Sequence, residues 1–139
     1  MNYTRSDVVK FARSYVGTRW AHCGRSRAGL DCVGLLVCVG RDLGLEIEDL
    51  TGYKRTPDSK VFLEHIRKQS APGNRERIRP GSIIILKQVF YPCHCGIATF
   101  IDARPYIVHA ALKQRLVVEE PLTPMWKDII DVREFRGIR

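Results

Sequence analysis

The chain has 139 residues, 45% of them hydrophobic and 27% charged, which suits one domain spanning 1–139 with a core large enough to fold without a disulfide or metal staple, and excludes intrinsic disorder. Lysine and arginine number 23 against 15 acids, a net charge of +8, and that excess favours anionic partners. The basic residues are spread over helices and loops with no zinc finger, basic tail or aromatic RNA-binding signature, so no nucleic-acid partner is expected.

At the N-terminus, Met1–Asp7 carries charges with no apolar stretch behind them, and no uncharged apolar run approaches the roughly 18 residues of a membrane helix. Neither a Sec signal nor membrane insertion is expected. Thr4-Arg5-Ser6-Asp7 has the form of a capping box, and Val8, Val9, Ala12, Tyr15 and Val16 recur at helical spacing up to Gly17, which predicts a first amphipathic helix. A loop rich in glycine and arginine runs from Gly17 to Gly29. Asp31 then caps a second helix that starts at Cys32, is apolar through Gly40 and stops near Gly44; such a helix is buried on most sides.

An acidic connector over 42–58 leads to Asp58-Ser59, the start of a third helix with Val61, Phe62 and Ile66 on its apolar face. Ala71–Pro80 reads as a polar linker. Beyond it, Ser82–Leu86, Cys95–Ile101, Tyr106–Ala110, Arg115–Glu119 and Ile130–Phe135 are short β-branched runs bounded by turn residues, with a turn at Arg104-Pro105 and breaks at Pro121 and Pro124. Helices first and strands afterwards predict an α+β fold with the helices on one face of an antiparallel sheet.

The five cysteines, Cys23, Cys32, Cys38, Cys93 and Cys95, are odd in number and unevenly spaced, unlike a secreted disulfide framework, and read as reduced thiols. Cys32 is the nucleophile candidate, because a thiol in the first turn of a helix feels the partial positive charge of unpaired N–H groups, which favours the thiolate. A cysteine nucleophile needs a base and a group to orient it. His94 and His109 stand on neighbouring predicted strands, where a hairpin sets them side by side. Taken singly, each of these residues also reads as an ordinary core or strand residue. Cys93-His94-Cys95 invites a zinc reading, but successive strand side chains alternate, and no second ligand pair stands at zinc spacing; no metal and no cofactor are expected, and Cys93 and Cys95 read as small buried residues. Arg25 and Arg27 are either solvated or grip carboxylates through their guanidinium forks.

Gly17-Thr18-Arg19-Trp20, Gly24, Gly29-Leu30-Asp31-Cys32-Val33-Gly34-Leu35, Pro80-Gly81-Ser82-Ile83-Ile84, His94-Cys95-Gly96-Ile97 and Ile107-Val108-His109-Ala110 resemble the ordered motifs of the NlpC-type cell-wall cysteine peptidases. The stretch from Gly24 to Leu35 is most similar to the bacteriophage branch of cell-wall peptidases and tail assembly proteins. The resemblance implies a papain-like α+β fold with Cys32 as nucleophile, His94 as base and His109 as third residue of a Cys-His-His triad. It implies hydrolysis in the peptide stem of peptidoglycan, most often between γ-D-glutamate and the diamino acid. It also implies action at the bacterial wall by a protein made in the cytoplasm, with phage tail proteins as further partners.

Trp20, Arg25, Arg27 and Asp31 are the expected substrate-binding residues. The family commonly has Ser after the catalytic Cys, Tyr twelve residues before it and Asp after the glycine of the first strand. Here Val33, Trp20 and Ser82 stand at those places. Two alternatives stay open: a muramoyl-alanine amidase or acyl transferase on the same scaffold, and a non-catalytic tail assembly component.

Overall fold

Residues 2–54, 58–88 and 93–139 are described by a computed structural model; residues 55–57 of the acidic connector lie outside them. The first helix, α1 (Arg5–Arg13), opens on the expected capping box: the Asp7 N–H donates to the Thr4 hydroxyl, and the Thr4 N–H donates to the Asp7 carboxylate at 2.8 Å. It ends four residues before Gly17. From Ser14 onward backbone N–H groups reach carbonyls three residues back, and the Ser14 hydroxyl donates to the Phe11 carbonyl at 2.6 Å, so the chain tightens and unwinds there. Tyr15 is still buried, while Val16 is exposed.

Within the segment read as a loop lies a small hairpin, β1 (Arg25–Ser26) and β2 (Gly29–Leu30). Two-residue strands are too short to show a period. Next, α2 (Cys32–Asp42) is capped by Asp31, whose carboxylate accepts the Gly34 N–H at 2.8 Å, and it is buried from Cys32 through Gly40. Gly34 lets the loop press on the first turn of α2, since a Cβ there would stand 2.0 Å from the Gly24 carbonyl oxygen. The third helix, α3 (Ser59–Gln69), is capped by Asp58 and buries Phe62 and Ile66. Val61, expected on that apolar face, is exposed: a 100° step per residue turns it away from the stripe that holds Phe62 and Ile66.

The remaining strands are β3 (Ala71–Pro72), β4 (Ile83–Leu86), β5 (His94–Ile101), β6 (Arg104–Ala111), β7 (Leu116–Pro121) and β8 (Ile129–Glu134), in one antiparallel sheet ordered β3-β8-β4-β5-β6-β7. The start of the expected linker is therefore an edge strand. The β5–β6 turn falls at Asp102-Ala103, both with positive φ, as a two-residue hairpin turn requires. Arg104 and Pro105 pair with Ile101 and Phe100 as strand residues, so the turn expected at Arg104-Pro105 lies two residues earlier.

Alternation along the strands separates two cores. Ile83, Ile85, Cys95, Ile97, Val108 and Ala110 face the three helices, whereas Ile84, Leu86, Ala98, Ile107 and Val132 face away from them. The second face is closed by Leu122 and Met125 at a 3-10 helix, Thr123–Asp128, with Pro124 in its first turn, where a missing N–H costs nothing. The helix-on-sheet α+β architecture is as expected. Among the described residues no helix is long and apolar enough to cross a membrane.

Candidate active site

Three elements converge at the N-terminus of α2. Asp31 delivers the chain into the helix, so Cys32 occupies its first position, and the Cys32 side chain hydrogen-bonds with those of Cys95 and His94 at the start of β5. On β6, His109 lies diagonally across from His94, given the Ile97–Val108 pairing. Its Nδ1 is 2.7 Å from His94 Nε2. The structure thus brings Cys32, His94 and His109 together, all three buried.

The surroundings set the protonation states. The Cys95 hydrogen bond, followed by the His94 hydrogen bond and charge, draws the Cys32 thiol down to about 5, while burial and the Asp31 carboxylate oppose the shift. Cys93 moves the other way, pushed up to about 12 by burial and the Cys32 charge, and Cys95 is held well above an ordinary thiol by its bond to Cys32 and by burial. Burial and the His94 charge lower His109 to about 3, so its ring is neutral near pH 7 and carries one N–H. Glu120 Oε1 on β7 is 3.4 Å from His109 Nε2, but the approach is too poorly directed for a hydrogen bond, and that nitrogen is buried with no hydrogen-bond partner among the described residues.

Cys95 and Glu120 were not among the sequence-derived candidates. Cys95 read as filler because a thiol on an apolar strand face is ordinary core. The only trace of Glu120 was an acidic residue near the end of a strand neighbouring the one that carries His109.

Of the four loop residues, Arg25 and Asp31 are engaged by the protein itself. Arg25 has a side chain only 16% exposed. Its Nε donates to Asp49, one terminal nitrogen to the Gly24 carbonyl and Asp31, and the other to the Leu50 carbonyl and the Tyr53 hydroxyl. All five donors of the guanidinium are engaged, so Arg25 is built into the scaffold and does not reach for a substrate carboxylate. Asp31 is equally occupied, accepting from Gly34, Cys23, Arg25 and the Tyr53 hydroxyl; it is the cap of α2 and the anchor of this network in place of a substrate ligand. Burial and Asp31 push the Tyr53 phenol up, which keeps it a donor.

Arg27 is exposed, with its guanidinium 4.1 Å over the Tyr15 ring and bonded to Ser14. Trp20 is half-buried against the helix-side core and bridges to Leu30.

His22, Cys23 and Asp31 place potential ligand atoms within 4.8 Å of one another. The Asp31 oxygens are committed to the four donors above, so this cluster is a hydrogen-bonded corner of the loop.

Replacing Arg25 tests the network. Arg25→Ala removes the nearest cation from the buried Asp31 and part-buried Asp49 carboxylates, and breaking such a pair costs about 3 kcal/mol. The expected result is a lower urea midpoint at unchanged m-value; wild-type stability would show that the network carries no structural weight.

A central helix that opens on a cysteine, packed on an antiparallel sheet whose strands present paired imidazoles, is the arrangement of a papain-like domain. The sequence matches the NlpC/P60 family over residues 17–133, and the chain belongs to that family. Among solved structures it is similar to the NlpC/p60 domain of the peptidoglycan hydrolase SagA, with 16% identity and TM-score 0.70 over 95% of this chain and 99% of that one. It is also similar to an NlpC/P60 family protein from Bacillus cereus ATCC 10987, at 17% identity and TM-score 0.67 over 97% of this chain and 41% of that one. A third is an N-acetylmuramoyl-L-alanine amidase from Bacteroides uniformis ATCC 8492, at 15% identity and TM-score 0.59 over 93% of this chain and 96% of that one. At these identities the likeness is one of fold, and the chain spans less than half of the Bacillus cereus protein. No curated protein matches the sequence significantly.

Proposed function

We propose that this protein is a thiol amidohydrolase of peptidoglycan, an endopeptidase that cuts the stem peptide between γ-D-glutamate and the diamino acid. The observation that carries the reading is the contact of Cys32 with His94, whose second ring nitrogen lies 2.7 Å from His109. Family membership and the hydrolase named among the structural neighbours support the substrate class.

In this mechanism His94 takes the Cys32 proton, and the thiolate attacks the stem-peptide carbonyl carbon. The carbonyl electrons move to oxygen, where the backbone N–H of Cys32, in the first turn of α2 and without an intrahelical acceptor, stabilises the charge. The His94 imidazolium then protonates the departing amine. Water, deprotonated by His94, hydrolyses the thioester and releases the carboxylate. Arg27, exposed in the loop, serves free carboxylates of the stem peptide. The Gly24–Leu35 stretch, similar to the bacteriophage branch, supports delivery to the wall with a phage tail.

The test is incubation with purified muropeptides followed by mass spectrometry. Fragments cut after γ-D-glutamate are expected, and none with Cys32→Ala. The Bacteroides uniformis neighbour favours a second reading, a muramoyl–alanine amidase, which release of intact stem peptides from the glycan would establish instead. Absence of any cleavage would overturn both.

A further inference from the structure

His109 has one ring proton, and its position is decided by what surrounds it. When Cys32 is a thiolate and His94 an imidazolium, both His94 nitrogens carry hydrogens, one toward the sulfur and one toward His109. At 2.7 Å, His109 Nδ1 must then present its lone pair. Its proton is forced onto Nε2, the nitrogen that is buried without a hydrogen-bond partner among the described residues. Leaving such an N–H unpaired in a low-dielectric site is costly, and the opposite tautomer would set N–H against N–H between the two rings.

The acceptor in place is Glu120. Pairing of His109 with Val118 and of Ile107 with Glu120 puts Glu120 diagonally across from His109 on the same sheet face, with Oε1 3.4 Å from Nε2. Its other oxygen accepts from the Gln114 side chain at 3.1 Å, which holds the carboxylate on that side. The adjacent Glu119 is on the opposite face, bonded to Arg13 and Thr99. His94 from β5 and Glu120 from β7 thus flank the His109 ring at its two nitrogens.

We propose that Glu120 is a positioning residue: it accepts the Nε2 proton of His109, fixes the tautomer that receives the His94 hydrogen bond, and so extends the relay to Cys32–His94–His109–Glu120. A small shift of the Glu120 side chain converts the 3.4 Å approach into a hydrogen bond when the thiolate–imidazolium pair forms. Catalytic hydrogen bonds that are long in the free enzyme and shorten in the working complex are common. The proposal rests on the assignment of Cys32 as nucleophile and His94 as base, but not on the identity of the substrate.

Two readouts separate those questions. The first needs no substrate: the rate of Cys32 alkylation against pH, together with nitrogen NMR of the imidazole tautomers. In the wild type His109 should be the Nε2–H tautomer. Glu120→Ala should mix the tautomers, move the acid limb of Cys32 alkylation to higher pH and slow the reaction at pH 6. Glu120→Gln keeps a carbonyl acceptor at the same reach and should recover most of the wild-type profile, and Glu119→Gln should leave it unchanged.

The second readout is hydrolysis, where Glu120→Ala should lower kcat about tenfold with KM little changed, as for loss of an outer-shell orienting partner. Gln114→Ala, an exposed change that cannot unfold the core, should give a weaker version of the same effect. An unchanged tautomer and alkylation profile in Glu120→Ala would overturn the proposal, as would equal impairment of the Gln and Ala variants, since charge alone would then explain the effect. Intact alkylation behaviour with no hydrolysis of any muropeptide would overturn the substrate reading and leave the relay standing.

Discussion

Under the proposed mechanism Cys32→Ala is expected to abolish hydrolysis, a loss on the order of 10⁵-fold or more in turnover, because removal of the nucleophile would leave only binding and the oxyanion donor. Reactivity should identify the same residue. With its thiol drawn down to about 5 by Cys95 and His94, Cys32 is already thiolate at pH 6, where an ordinary thiol near 8.5 is almost wholly protonated. Alkylation at pH 6 followed by peptide mapping should therefore mark Cys32 ahead of Cys38, Cys93 and Cys95, all raised by burial among other causes.

The acid limb of the pH profile has a definite sign. Acidification protonates the thiolate, so kcat/KM should bend down in the acid range well below an ordinary thiol, reaching about a tenfold fall per pH unit only well below about 5. Cys32 is only 4% exposed, so a small reagent such as iodoacetamide suits the measurement. First labelling of Cys23, the one half-buried thiol, would contradict the assignment.

Much of the site was legible because its parts obey local rules. Asp31 reads as a cap from its own side chain, the apolar run after Cys32 can only be a buried helix, and two histidines on consecutive strands meet when the turn between them is tight. What escaped depends on contacts far apart in the chain. The place of β8 beside β4, between it and β3, follows from long-range pairing that no local period encodes. Arg25 looked like a substrate arginine because its partners, Asp49, Leu50 and Tyr53, arrive from a segment some 24 to 28 residues later. The thiol of Cys95 gains its role only because α2 seats Cys32 against it. The turn at Asp102-Ala103 was misplaced because Arg104-Pro105 carries the stronger local signal, while the hairpin register requires positive φ two residues earlier.

His94→Ala is expected to cost on the order of 10³-fold in turnover, within the range of a lost general base. It should also leave a second, substrate-free signature. The variant removes both the His94 hydrogen bond and its charge from Cys32, while the Cys95 bond and burial remain; with two of the downward influences gone, the thiol must rise, and alkylation at pH 6 must slow.

His109→Ala acts one step further out. It removes the partner 2.7 Å from His94 Nε2 but leaves His94 beside the sulfur, so a loss of about 10–100-fold is expected, smaller than for the base itself. The order of the two effects follows from the proposed mechanism, in which His94, beside the sulfur, exchanges the proton and His109, 2.7 Å from His94 Nε2, holds the ring that does so. Equal losses in the two variants would make His109 a second base, and wild-type turnover in His94→Ala would remove His94 from the chemistry altogether.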